Sequence, residues 1–255
     1  MIYRYFFILV FSMVFVNNVT AGTTRIMLLG DSITYDYAFS DDSSPRPVSQ
    51  RHGFRNYLWY KLQAAKYDVD FVGSHKAGSG VRPVFDIDSE GWSGLKSTDV
   101  VIFPRPLGGF YDRLKKYKPN IILIHLGTND WSRSVSGIKR ILNEIDAFEE
   151  EYNFHIKVVL AKIINIRERT SLFSTFNNNI QTLANKRVKN GDDIVVVDME
   201  NGAGLHYNSS DFRDRVHPNN SGYKKMASAW FTALDKIFKN NYAWLIPINN
   251  LILSD

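Results

Sequence analysis

Short apolar runs alternate along this chain with longer segments whose apolar residues recur every three or four positions. Ile26-Met27-Leu28-Leu29, Val69-Asp70-Phe71-Val72, Ile121-Ile122-Leu123-Ile124, Val158-Val159-Leu160-Ala161 and Ile194-Val195-Val196-Val197 are rich in β-branched residues, and most are nearly continuous in apolar residues. Such runs predict parallel strands covered on both faces. Between them lie four helical stripes: Phe54, Tyr57, Leu58, Leu62 and Ala65; Ile138, Ile141, Leu142, Ile145 and Phe148; Phe173, Phe176, Ile180, Leu183 and Ala184; and Tyr223, Met226, Ala227, Trp230, Phe231, Leu234 and Phe238. The first, second and third stripes and the last all repeat near the 3.6-residue helical period. Alternating strands and helices predict a three-layer αβα sheet in one domain. Val100 to Phe103 fits either a further strand or a loop edge, and the polar, proline-containing Ser40 to Gln50 reads as a surface loop.

The start and end of the chain extend that picture. Arg4 precedes an apolar run from Phe6 to Val16, and Val19-Thr20-Ala21 supplies small residues for cleavage. This is the layout of a signal peptide over residues 1–21, and the run is shorter than the ~20 residues of a spanning helix. The expectation is a protein secreted or periplasmic after cleavage near Ala21, with no stable membrane anchor. Residues 22–240 then form the domain, and the apolar tail 241–255 is expected to pack on it. The net charge of +5 is spread along the chain, which gives no focused nucleic-acid surface. With no cysteine, thiol catalysis and cysteine metal sites are excluded. No HExxH, P-loop or EF-hand pattern is present, so neither a metal nor another cofactor is expected.

Ligands in open α/β sheets bind beyond the carboxyl ends of the strands. Two polar blocks stand there. Gly30-Asp31-Ser32-Ile33-Thr34 follows the first run, and Gly127-Thr128-Asn129-Asp130 follows Ile121–Leu126. The first places Ser32 at the sheet rim with a free hydroxyl, although Asp31 and Ser32 also suit a helix N-cap. The Asn129 amide can donate to a developing oxyanion, although the block also reads as an Asx turn. Asp214-Arg215-Val216-His217-Pro218-Asn219 puts a carboxylate three residues before an imidazole, within reach of one turn. Asp214 can hold one ring nitrogen while the other faces a serine; a surface Asp–His pair beside a helix start is the competing reading. Gly91-Trp92-Ser93-Gly94 offers a backbone N–H unhindered by a side chain, or is merely a flexible loop. His125, inside a strand, reads as a packed core histidine.

Together these four blocks resemble the SGNH (GDSL-type) hydrolases, in which Ser, Gly, Asn and His recur in that order, here at Ser32, Gly91, Asn129 and His217. The resemblance spans nearly the whole chain after Ala21. It implies a flavodoxin-like, five-stranded parallel sheet and ester hydrolysis without a cofactor. It also implies a triad of Ser32, His217 and Asp214, with an oxyanion hole from Ser32 N–H, Gly91 N–H and the Asn129 amide. Gly94 is the alternative to Gly91. A narrower resemblance, to the acetylxylan-esterase-like carbohydrate esterase family 3, is carried by Gly53-Phe54-Arg55 ahead of Leu58 and Leu62, by Phe71-Val72-Gly73-Ser74 and by Glu90-Gly91-Trp92-Ser93-Gly94. Two departures stand out: Asp36, where glycine commonly follows the GDSIT block by one position, and Trp92, where histidine or tyrosine is common.

The expected reaction is hydrolysis of short, chiefly acetyl, esters on a carbohydrate. Asp31 and the rings of Trp92 and Trp131 adjoin the reacting carbonyl in sequence and are candidate substrate contacts, the rings narrowing an acyl pocket or stacking on sugar. Two other readings compete. One is a lipase, lysophospholipase or thioesterase of the same kind acting on longer acyl chains; the other is a non-catalytic carbohydrate-binding module with the same fold. The chain lacks the GxSxG elbow of the α/β-hydrolases.

Overall fold

The computed structural model describes residues 22–102 and 108–242. The expected signal peptide and the tail beyond Tyr242 therefore lie outside the described residues. In chain order the elements are β1 (Thr24–Gly30), α1 (Ser32–Tyr35), α2 (Ser40–Ser43), α3 (Arg55–Ala64), β2 (Val69–Val72), β3 (His75–Lys76), β4 (Asp88–Gly91), α4 (Phe110–Tyr117), β5 (Ile121–His125), α5 (Ser136–Tyr152), β6 (Lys157–Lys162), α6 (Ser171–Lys189), β7 (Ile194–Asp198) and α7 (Asn220–Tyr242).

All five apolar runs form strands. They lie parallel in the order β2-β1-β5-β6-β7, the doubly wound arrangement of flavodoxin-like sheets. The sheet is larger than the five strands expected, because β4 adds beside the second half of β1 and β3 pairs antiparallel with β4. The chain thus has a mixed edge on an otherwise parallel sheet, as large sheets often do.

Successive strand residues point to opposite faces, and β1 divides accordingly. Ile26 and Leu28 pack with Leu58 and Leu62 of α3 and Trp230 and Leu234 of α7. Met27 and Leu29 pack with Phe110 and Leu114 of α4, Ile138 and Ile141 of α5 and Phe173 and Phe176 of α6. These two layers bury both faces and leave the carboxyl ends of the strands open to the loops.

Of Val100 to Phe103, for which strand and loop edge stood open, Val100 is buried and Val101 and Ile102 turn, while Phe103 lies outside the described residues; α4 was not anticipated from the pattern. Ser40–Gln50 is more than a surface loop. It holds α2 and a short 3-10 turn at Val48–Gln50, and Asp41 within it is buried. Asp41 and Arg46 within it pair with each other, whereas Asp42 is exposed.

Candidate active site

Register brings three strand exits together. Gly30 at the end of β1 lies opposite His125 of β5 on one side and Gly91 of β4 on the other. The residues that follow each exit, Ser32, Trp92–Gly94 and Gly127–Asn129, therefore share one edge of the sheet.

At the first exit the two competing roles are divided between two residues. Asp31 caps α1, its Oδ1 accepting the Ile33 N–H at 2.9 Å. Ser32 is thereby released from capping, and its Oγ lies 3.0 Å from His217 Nε2. Asp31 is fully buried, and burial pushes its carboxyl up to about 6 against the opposing Ile33 hydrogen bond and the nearby His217 charge. Desolvation of an ionised carboxylate is the physical cause.

His217 sits just ahead of α7. Asn219 ends the loop by accepting the N–H groups of Ser221 and Gly222, which starts the helix. Asp214 reaches the ring as the spacing predicts, with His217 Nδ1 at 2.9 Å from Oδ2 and 3.0 Å from Oδ1. Its Oδ1 also accepts the backbone N–H groups of Val216 and His217, each at 2.8 Å. Its Oδ2 accepts the N–H of Phe39 at 2.9 Å, from a segment 175 residues away in sequence. Burial raises the Asp214 carboxyl, but His217 and these N–H groups outweigh it and hold the pKa at about 2. The Phe39 ring stands edge-on to His217, centroids 4.9 Å apart, and is 53% exposed.

The second and third exits are tied to each other. Asn129 Nδ2 donates to Leu95 O at 3.1 Å, and Asp130 accepts Ser97 N–H at 2.8 Å and the Ser97 hydroxyl. The two candidate glycines occupy different settings. Gly91 is buried at the end of β4, where a Cβ would come within 2.9 Å of Thr34 Cγ2 and 3.0 Å of Tyr35 N. Its glycine identity is explained by the close passage of α1. Gly94 is exposed, has φ +74°, and has no heavy atom within 4 Å of where its Cβ would lie. Left-handed backbone of this kind favours glycine.

Beneath that loop Glu90 and Arg113 form a buried ion pair, Nε to Oε1 at 3.0 Å. Glu90 also accepts from Ser74 N and Oγ, and from Trp92 Nε1 at 2.7 Å. Trp92 is half-buried, with its ring stacked on His75 at 4.3 Å; His75 stacks in turn on Tyr35 at 4.4 Å. Packing thus occupies one face of Trp92. Trp131 is 51% exposed, leans on Phe173, and has the Arg215 guanidinium carbon 5.9 Å from its ring centre. It borders the loop that carries His217. His125 lies in the core, its Nε2 facing the Ile164 N–H at 3.2 Å, and burial lowers its pKa to about 4.

Sequence reasoning missed Phe39 and Glu90. Phe39 acts through its backbone, which leaves no side-chain signal. Glu90 stood in the quoted block, but nothing in Asp88-Ser89-Glu90-Gly91 marks a buried strand, so its role was not legible.

The family model described as GDSL-like Lipase/Acylhydrolase matches residues 26–230. A "Multidomain esterase" of Ruminococcus flavefaciens is 32% identical over an alignment of 247 positions that covers 86% of this chain and 29% of that protein. The chain thus spans under a third of that relative's length. A carbohydrate esterase family 3 structure from Talaromyces cellulolyticus superposes with a TM-score of 0.68 at 26% identity, covering 86% of this chain and 99% of the other. The same figures hold for the structure of an acetyl esterase mutant with acetate ion. The chain belongs to the GDSL-like lipase/acylhydrolase family, and the domain it forms is that of a carboxylic ester hydrolase.

Proposed function

We propose that this domain is a serine esterase that removes short acyl groups, chiefly acetyl, from carbohydrate, with Ser32, His217 and Asp214 as its triad. The observation that carries the reading is the continuous chain from Ser32 Oγ to His217 Nε2 at 3.0 Å and from Nδ1 to Asp214 at 2.9 Å. In the proposed cycle His217 takes the Ser32 proton as Oγ attacks the ester carbonyl. The alcohol leaves with that proton, and water hydrolyses the acyl-serine by the same route. Asp214 stays ionised throughout any working pH, since its pKa is about 2, and favours the imidazolium formed in each transition state.

The oxyanion would be held by Ser32 N–H, the Asn129 amide and one glycine N–H. Asn129 spends one of its two amide hydrogens on Leu95 O, which orients the other. Gly94 fits the third place better than Gly91. It is exposed, and it is next to the Leu95 carbonyl that orients Asn129.

For the substrate, support comes from the family 3 carbohydrate esterase and the acetyl esterase with acetate at 26% identity. The exposed rings of Phe39, against His217, and Trp131, beside Arg215, suit a sugar better than a long acyl chain. The apolar N-terminal run ending in Val19-Thr20-Ala21 supports secretion or delivery to a periplasm. The test is acetate release from a panel of acetylated glycans, alongside kcat/KM for acetyl, butyryl, octanoyl and palmitoyl esters of one alcohol. A maximum at acetyl is expected. A maximum at octanoyl or beyond would replace the deacetylase with a lipolytic enzyme.

A further inference from the structure

Asp36 departs from the glycine common at its position, and the backbone explains both residues. It ends α1 in the left-handed conformation, with φ +70°, where glycine is usual and aspartate is among the few tolerated alternatives. What aspartate adds is a carboxylate buried directly behind the helix that carries Ser32.

That carboxylate is the centre of an ion cluster. Arg46 donates from Nη1 to Asp36 Oδ2 and from Nη2 to Oδ1, both at 3.1 Å, and from Nη2 to the Asp36 carbonyl at 2.6 Å. The backbone N–H of His52 adds 3.0 Å to Oδ2, and Arg213 Nη1 lies 3.5 Å from Oδ1. Asp41 grips the other side of the Arg46 guanidinium, at 2.9 Å from both Nε and Nη2. Asp41 also accepts Ala38 N–H at 2.9 Å. Burial opposes ionisation of Asp41, yet Arg46 and the N–H groups of Ala38 and Arg46 hold its carboxyl well below the ordinary range.

The residue next to Ala38 is Phe39, whose N–H goes to Asp214 Oδ2 at 2.9 Å and whose ring meets His217. Two carboxylates and one guanidinium therefore fix a short segment whose next backbone donor lands on the proposed catalytic acid. A bidentate guanidinium fork has the geometry for such a task; an ammonium does not.

We propose that residues 38–43 are a fixed cap on the catalytic acid, in which Phe39 positions Asp214 through its N–H and Arg46, clasped by Asp36 and Asp41, positions Phe39. This rests on the triad proposed above. In this role Phe39 acts through its backbone N–H on Asp214 and Arg46 acts only through the Phe39 segment, so both are positioning residues, whatever the Phe39 ring contributes to substrate.

The backbone supplies a clean test. Phe39 has φ −60° and stands just before α2, a place that proline can occupy. Phe39→Pro deletes the N–H and the ring, whereas Phe39→Ala deletes the ring alone. With nitrophenyl acetate, Phe39→Pro is expected to turn over about tenfold slower than Phe39→Ala at matched KM, the scale of one charge-assisted hydrogen bond. Arg46→Gln is expected to lower kcat about threefold to tenfold at unchanged KM, and Arg46→Lys not to restore it. Equal kcat in Phe39→Pro and Phe39→Ala overturns the proposal. So does an Arg46→Gln protein with a lowered Tm and full kcat, which would make the cluster a matter of stability alone. Should Phe39→Pro fail to fold, Arg46→Gln decides by the same criterion. Ser32→Ala is measured in parallel. If it is inactive while the cap variants are normal, the triad stands and the cap falls; if it is active, both fall.

Discussion

The two halves of the site are built differently. On the proposed acid–base side the three side chains are already joined to partners: Ser32 Oγ to His217, His217 to Asp214, and Asp214 to Val216, His217 and Phe39, all between 2.8 and 3.0 Å. On the proposed oxyanion side the scaffold is bonded but the working end is open. Asn129 is anchored to Leu95, Trp92 to Glu90 and Glu90 to Arg113, while Gly94 faces open space. The difference follows from where the partners come from. The proton chain runs between residues of this chain and can be assembled in advance. The negative charge that the proposed oxyanion donors would meet exists only in the transition state.

Each half also rests on a buried ionic anchor, and these anchors differ in kind. Glu90–Arg113 is a single pair almost wholly removed from water, with side chains 0% and 2% exposed. The Arg46 cluster is partly wet at the arginine and joins three segments. The first holds a loop from beneath; the second ties the helix that starts at Ser32 to the loop that carries Asp214.

If the halves work as described, removing parts of each gives different signatures. His217→Ala should have the largest effect, a loss of about 10⁴ to 10⁶ in kcat in a folded protein; steady-state hydrolysis of nitrophenyl acetate measures it, and a loss below a hundredfold would break the acid–base assignment. Asn129→Ala should lower kcat by about 10² to 10³ with KM nearly constant. A rise in KM alone would instead make Asn129 a ground-state substrate contact. Trp131→Ala sharpens the comparison at the rim. It should lower kcat/KM about threefold to tenfold on an acetylated glycan and leave nitrophenyl acetate unchanged, and equal losses on both would mean that the ring shapes the acyl site.

The smallest effect concerns Asp31. Its folded pKa of about 6 lies above the ordinary 3.8, so the folded state binds the extra proton between those values. Stability is therefore lost as pH rises from about 4 to 6 and the carboxyl ionises while buried. Asparagine keeps the cap of α1 and removes that cost, so Asp31→Asn should raise Tm by a few degrees at pH 8 and hardly at all at pH 4. Equal shifts at both pH values, seen by calorimetry, would contradict a buried ionised Asp31.

Much of this was legible in the chain. Continuous apolar runs marked the five parallel strands because both of their faces are covered, and the Asp-x-x-His spacing marked a pair that one turn can close. What escaped detection was polar and interior. Asp88-Ser89-Glu90-Gly91 has no apolar pattern, so β4 was invisible, although Glu90 is satisfied by Arg113, Ser74 and Trp92. Ser40–Gln50 read as surface because it is charged, while Asp41 is buried against Arg46. Asp36 was visible as a departure from glycine, but only the fold shows that its carboxylate gathers Arg46 and Arg213. Sequence spacing gave no basis for choosing between Gly91 and Gly94, three residues apart. Local packing separates them, since α1 crosses one and solvent meets the other.

The claim on which everything turns is that Ser32 is a nucleophile activated by His217. Intact mass and peptide mapping after exposure to a fluorophosphonate probe test it most directly. The account predicts a single stoichiometric adduct on Ser32 in the wild-type protein, none in Ser32→Ala, and labelling slowed by orders of magnitude in His217→Ala. An adduct on another residue, or undiminished labelling of Ser32→Ala, would contradict it.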